Sequence, residues 1–435
     1  MDLVEEREKI VSTRITTLEQ GTARFAQRRP VRVGRTRRRR TLSFLALAGL
    51  FALTLIVLFT HLSGMSYAAL TALSVQQEIR MTVPSSTHAA PPSTSTSTKS
   101  VPVVASSGNA SRALQRVNQL DCGQYASGSE CATWAYSACS TAAITEVINS
   151  YGYHFQITAI LQQEVAANAI TPQNGLLDDQ GIQRTAARFG FSTSWGYSLS
   201  LDQVIASANA GIPVIVAWPP AKYDGGHLVV VIGGDSTSVR LADSSRYNRQ
   251  MLSRAQFLNW WAGYSAILKP GPFSFVGKPT LTANFINQVL ASYGSPAARL
   301  GQQMYDLGVK YGIDPAYALA FFMHESLFGT TGEARKTLAL GNERCLSDRP
   351  CIDQDRGGYA QMLSWQDGFD HWYRLILNGY VYGSVTIPIA GHPCLTIGQT
   401  IPVYAPSSDG NDEVAYIAAL EHELRTWWSG QLRVA

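Results

Sequence analysis

Nineteen consecutive residues without a charge, Leu42 to Thr60, constrain this chain most, because a segment of that length and character has few places to go in water. At a helical rise of about 1.5 Å per residue the run matches the roughly 30 Å core of a bilayer, and it predicts a transmembrane helix over 42–62. A cleaved secretory signal is the competing reading, but its apolar region is shorter, and this run lies behind a 40-residue polar head. Arg37, Arg38, Arg39 and Arg40 abut the run; the positive-inside rule then places the basic segment 1–41 in the cytoplasm and everything beyond the span outside the cell. From Thr82 to Ser100, 14 of 19 residues are Ser, Thr or Pro, which cannot bury enough apolar surface to fold. The region 63–111 is therefore expected to be a stalk. Its stretch 82–110 would reach about 30 Å as a coil and about 90 Å as polyproline II, enough to hold a folded body off a membrane.

The folded body must follow the stalk, and at 435 residues the chain has room for more than one domain after it. Lys269-Pro270-Gly271-Pro272 marks a break, dividing a first unit, 112–269, from a linker at 270–290 and a second unit, 291–435. Residues 1–40 hold 12 of the 35 Lys and Arg but only 5 of the 31 Asp and Glu, so the rest of the chain carries a net charge of about −3. That balance argues against a nucleic-acid partner. The eight His are dispersed and no HExxH occurs, so neither a metal site nor a cofactor is expected.

In the first unit, Ala143, Ile144, Val147, Ile148 and Tyr151 recur at helical spacing and Gly152 follows as a stop, which puts Cys139 at a helix N-terminus. Backbone N–H groups and the helix dipole favour negative charge there, and hence the nucleophilic thiolate. A lone cysteine is more often core filling. Further downstream, Gly225-Gly226-His227 leads an apolar run from Leu228 to Ile232, and a turn rich in Gly, Asp and Ser joins it to a second run around Val239 to Leu241 that ends in Asp243. A turn centred on Asp235 would set His227 directly opposite Asp243; a two-residue slip would leave them neighbours. The carboxylate would then fix the imidazole tautomer, freeing the other ring nitrogen to take a proton from a thiol.

This order, a Cys opening a helix, Gly-His leading a strand and Asp ending the next, resembles the papain-like cysteine peptidases of the bacteriocin-leader-peptidase-like group, over about 130 residues from Cys139 to Leu268. The resemblance implies an α+β fold, with Cys139 as nucleophile, His227 as general base and Asp243 as orienting carboxylate. Ser140 follows the nucleophile where the group usually has Gly. The group also has an oxyanion-hole Gln upstream, and the nearest upstream glutamine here is Gln124.

The second unit reads as helical, with Ala298 to Tyr311 and then Pro315 to Phe328; Asp314 serves as N-cap and Pro315 stands at the first helical position. The latter helix is apolar nearly all round, and Glu325 near its end would sit between Phe321 and Phe328, an environment that disfavours the ionised form and suits a general acid. A rim Glu paired with Arg335 or Arg344 is the bland alternative. His324-Glu325-Ser326, Phe328-Gly329-Thr330-Thr331-Gly332, Ala334 and Gly341-Asn342 resemble the bacterial endo-β-N-acetylglucosaminidase group of the lysozyme-like superfamily, over about 130 residues. The resemblance implies a mainly α lysozyme-like domain with Glu325 as catalytic acid. Phe369, Trp372 and Tyr373 have the spacing of core residues, whereas Tyr359 and Trp365 lie in a more polar stretch as candidates for sugar stacking. Glu333, Asp353, Asp355 and Asp367 all remain open as a second carboxylate. Cys122 with Cys131, and Cys345 with Cys351, are close enough in sequence to pair in an oxidising exterior, leaving Cys394 either free or in exchange with one of the latter two.

The combined expectation is a multidomain, single-pass cell-membrane protein whose papain-like and lysozyme-like heads act on the peptide stem and glycan strand of peptidoglycan. The alternative is a precursor-processing peptidase with a non-catalytic wall-binding domain.

Overall fold

The computed structural model describes residues 109–383 and 391–435. The expected cytoplasmic segment, the membrane span and nearly all of the stalk lie outside these residues. Among the described residues no helix is long and apolar enough to cross a membrane.

The first half is an α+β unit. Its longer helices are α1 (Cys139–Ser150), α2 (Ile157–Ala166), α3 (Gly181–Arg188) and α4 (Leu201–Asn209). Its strands are β1 (Phe191–Gly196), β2 (Val214–Trp218), β3 (His227–Gly234), β4 (Ser238–Ala242), β5 (Met251–Ser253) and β6 (Ser265–Pro270). They form one antiparallel sheet in the order β1-β6-β2-β3-β4-β5. The uninterrupted apolar runs of β2 and β3 reflect a sheet covered on both faces. Ile215, Leu228 and Val230 pack toward Ile144 and Val147 of α1, while Val214, Val216, Val229 and Val231 pack toward Val204 and Ile205 of α4. Alternating residues thus enter two different cores, as a period of two requires.

The register of β3 with β4 differs from the expected one. Val230 faces Ala242 and Val231 faces Leu241, and the pairing shifts again to Gly233 with Arg240 across a bulge. The turn is therefore centred beyond Asp235, in a short connection between Gly234 and Ser238, and His227 and Asp243 are diagonal neighbours instead of direct partners. A slip of two preserves the face of every side chain, so the two groups still meet.

The second half is mainly helical: α5 (Ala283–Ser292), α6 (Gly301–Tyr311), α7 (Pro315–Ser326), α8 (Trp365–Arg374), α9 (Ile397–Tyr404) and α10 (Glu413–Trp428). Asp314 caps α7 through a 3.0 Å bond from the Ala316 N–H, with Pro315 in the first turn. This helix ends earlier than its sequence pattern suggests. Leu327 and Phe328 both turn to positive φ, and Phe328 is buried against Tyr293 and Trp427, beyond the helix instead of on it. Segment 270–282 is packed: the Phe275 N–H donates to the Leu395 carbonyl at 3.0 Å and its ring is fully buried beside Tyr317 and Phe321.

The two halves share one apolar cluster, running from Ile144 through Phe155 and Phe189 to Phe321 and Trp372. Tyr382 meets Phe155 edge-on at 5.2 Å, the Gln399 side chain donates to the Arg188 carbonyl at 3.0 Å, and the Gly271 N–H donates to the Gly190 carbonyl at 2.9 Å.

Candidate active site

Cys139 is the first residue of α1, where the opening N–H groups have no partner within the helix. Its N-cap, Ala138, offers no side-chain acceptor, so those amides are not consumed by a cap. A two-residue hairpin, Ile170–Thr171 with Gly175–Leu176, braces the preceding loop. Gly175 has φ +64°, and a Cβ there would lie 3.1 Å from the Ser137 carbonyl oxygen, so glycine lets the hairpin press on the backbone that presents the thiol.

His227 opens β3, directly after two glycines at positive φ. Its Nε2 lies 2.8 Å from Asp243 Oδ1. Asp243, just past β4, is fully buried and accepts three further hydrogen bonds: from the Ser245 N–H at 2.9 Å, the Arg249 N–H at 3.1 Å and Arg249 Nη1 at 3.2 Å. Burial alone would push its carboxyl up, but the hydrogen bonds from His227 and Ser245 and the imidazole's charge hold it well below the usual carboxylate range. An ionised carboxylate only accepts, so Nε2 is the donor and Nδ1 is left for the hydrogen bond between the imidazole and the Cys139 side chain. For His227 burial acts downward, yet the bonds to Asp243 and Cys139 prevail and bring the imidazole up to about 9. Cys139, His227 and Asp243, named from sequence, are thus joined in one chain of contacts.

Gln124 closes a short turn at Cys122–Gln124 and makes no side-chain hydrogen bond to these three residues. A different glutamine occupies the neighbourhood. Gln119 is buried, its Nε2 donates to the Ala135 carbonyl at 2.9 Å, four residues before the nucleophile, and its Oε1 accepts from Ser244 Oγ at 2.9 Å, next to Asp243. Its N–H donates to the Ser244 carbonyl as well. Nothing in sequence periodicity marks Gln119; the signal is tertiary. Glu146 also approaches, buried on α1, with one oxygen accepting from the Val117 N–H at 2.9 Å. Burial takes its carboxyl up to about 8, against the pull of that bond, and the charges of Asp243 and His227 act on it.

In the second half a cavity of about 900 Å3 opens beside the end of α7. Glu325 lines it, half-buried, with Oε1 accepting from Tyr416 Oη at 2.6 Å, and His324 stacks on the same ring. Tyr380, Tyr404 and Tyr416 supply the aromatic lining. Tyr359 and Trp365 do not line it: Tyr359 is buried under Arg344, and Trp365 starts α8 against the Gly329 turn. The four carboxylates left open in sequence are also elsewhere. Glu333 and Asp353 meet Lys336, Asp367 is held by Arg349, and Asp355 lies in a separate turn. Glu343 lines the cavity instead, in contact with His371, its carboxyl pushed up by burial against the His371 bond.

Disulfides join Cys122 to Cys131 and Cys345 to Cys351. Cys394 is a fully buried thiol, raised by burial to about 12, in contrast with the half-exposed Cys139. Among the described residues no cluster of His, Cys, Asp and Glu could hold a metal ion.

Residues 113–267 match the model of the Peptidase_C39 like family. This stretch is accordingly a papain-like cysteine-peptidase domain of the C39 type. Three solved structures are similar to it. The peptidase domain of Streptococcus ComA, a bi-functional ABC transporter involved in a quorum sensing pathway, is 21% identical, with 31% of this chain and 92% of that chain covered and a TM-score of 0.27. A double glycine motif protease from an AMS/PCAT transporter, in complex with the leader peptide, is 15% identical, with 30% and 84% covered and a TM-score of 0.23. A C39-like peptidase from Bacillus anthracis is 14% identical, with 38% and 96% covered and a TM-score of 0.26. No curated protein matches the chain.

Proposed function

We propose that this chain is a membrane-anchored, two-headed cell-wall hydrolase whose first head cleaves an amide bond in peptidoglycan and whose second cleaves the β-1,4 glycan. The observation that carries the peptidase half is the buried His227–Asp243 pair, 2.8 Å apart, with its imidazole raised by the Cys139 side chain at the head of α1. The thiolate attacks the carbonyl, and the imidazolium returns its proton to the leaving amine; water, deprotonated by the same imidazole, then releases the acyl group from sulfur. The oxyanion meets the Cys139 N–H and the second hydrogen of the Gln119 amide, the first being bound to Ala135.

Support for the glycosidase half is the half-buried Glu325 in a cavity large enough for sugar rings, with tyrosine faces on its wall. Glu325 would protonate the glycosidic oxygen. Glu343, in the same cavity, is the partner we assign it in place of the four carboxylates considered from sequence. The membrane anchor, with the N-terminus inside and both heads outside, belongs to this reading through the uncharged run Leu42–Thr60 and the arginines before it.

The test is mass spectrometry of purified peptidoglycan digested by a 109–435 fragment beside Cys139→Ala and Glu325→Gln. New stem termini lost only with Cys139→Ala, and new reducing N-acetylglucosamine ends lost only with Glu325→Gln, are expected. Absence of both kinds of end from the folded wild type would move the weight to precursor processing with a wall-binding second head.

A further inference from the structure

Ser140 stands where the resembling peptidases have glycine, and the structure gives it a partner. Its Oγ donates to Glu164 Oε1 at 2.7 Å, and the next residue, Thr141, donates through Oγ1 to Glu164 Oε2 at 2.5 Å. All three side chains are fully buried. Glu164 belongs to α2, packed beside α1, so one carboxylate from a neighbouring helix grips the first turn of the nucleophile's helix at two consecutive positions.

The arrangement answers a specific difficulty. A helix start is ordinarily secured by an N-cap side chain that accepts from the backbone N–H groups of the first turn. Ala138 offers no such acceptor. A capping carboxylate here would compete with the oxyanion for those amides. Glu164 holds the turn by its hydroxyls and leaves the N–H groups unclaimed. A carboxylate near the positive end of the helix dipole is also favourably placed. Burial of the carboxyl is opposed by the two hydroxyl bonds and still leaves it at about 7, well above an exposed glutamate.

We infer that Glu164 is a positioning residue, clamping the first turn of α1 through Ser140 and Thr141 so that the Cys139 thiol meets His227 and its N–H stays free for the oxyanion. This rests on the reading of Cys139 as nucleophile. Because it acts through the helix and not on substrate, it should affect kcat and thiol reactivity with little change in KM.

The experiment compares wild type, Glu164→Gln and Glu164→Leu in the 109–435 protein by two readouts: the rate of Cys139 alkylation by iodoacetamide at pH 7, mapped by peptide mass spectrometry, and stem-peptide release from peptidoglycan. Glutamine can accept from one hydroxyl and donate to the other, so Glu164→Gln should stay within about threefold of wild type on both. Glu164→Leu should lose tenfold or more in alkylation and in kcat, with KM changed less than twofold. If Glu164→Leu does not fold, Ser140→Ala combined with Thr141→Val removes the same two bonds from the other side and carries the same expectation. A wild type reactive at Cys139 and an equally reactive, folded Glu164→Leu would overturn the clamp alone. A wild type unreactive at Cys139 would overturn the peptidase reading and the clamp with it.

Discussion

At the residue scale, the buried amide of Gln119 is tied both to the backbone before Cys139 and to Ser244 beside Asp243. Cys139, His227 and Asp243 each stand at an element boundary that propensity marks, whereas Gln119 is brought in from twenty residues upstream by a buried contact with Ser244. If its amide serves the oxyanion, Gln119→Ala should lower kcat by about 10²–10³-fold, and Gln124→Ala should leave it unchanged, measured as stem-peptide release. Glu146 yields a prediction of opposite kind. Its folded carboxyl sits near 8, above its ordinary value of 4.5, because it is buried, so it contributes stability below the unfolded value that is lost as pH rises through about 8. Glu146→Gln should therefore flatten the fall in Tm between about pH 5 and 8. A Tm that falls equally in both proteins would exclude Glu146 as the cause.

Among elements, the two strands that place His227 and Asp243 were predicted from their apolar runs, and their face was right although their register was off by two. The physical reason is that alternation fixes the face, whereas bulge position depends on the local turn, where Gly233 follows Val231 out of step. Helix α7 shows the reverse error. Its apolar run continues through Phe328, but the backbone leaves the helix at Leu327 because Phe328 is claimed by Tyr293 and Trp427. Glu325 consequently faces a cavity beside Tyr416 instead of lying between Phe321 and Phe328 along one helix. The hairpin under Ser137 makes a test at this scale. Gly175→Ala forces a Cβ into a left-handed position against the Ser137 carbonyl, and should cost about 1–3 kcal/mol in urea unfolding while slowing Cys139 alkylation. Unchanged stability and unchanged reactivity would mean the hairpin does not brace the nucleophile loop.

For the whole molecule, sequence punctuation suggested a joint around Lys269-Pro270-Gly271-Pro272; the structure ends β6 at Pro270 and, a few residues on, buries Phe275 in a core shared by both halves. Proline and glycine mark a change of direction; they carry no information on whether the chain then packs. Phe155 sits at the shared surface, against Phe189 and Tyr382. Phe155→Ala should destabilise the protein by about 3–5 kcal/mol, and calorimetry of 109–435 should show one cooperative transition in the wild type. Two separated transitions, with only the first moved by Phe155→Ala, would mean that the halves unfold independently.

In the proposed chemistry Cys139 is a nucleophile armed by His227. Peptide mapping after brief iodoacetamide treatment at pH 7 tests it most directly, because the same digest reports the buried Cys394 as an internal control. The expected result is selective labelling of Cys139 that slows by about 100-fold or more in His227→Ala, with Cys394 unlabelled in both. Labelling of Cys139 at the same rate with and without the imidazole would mean that His227 does not activate the thiol.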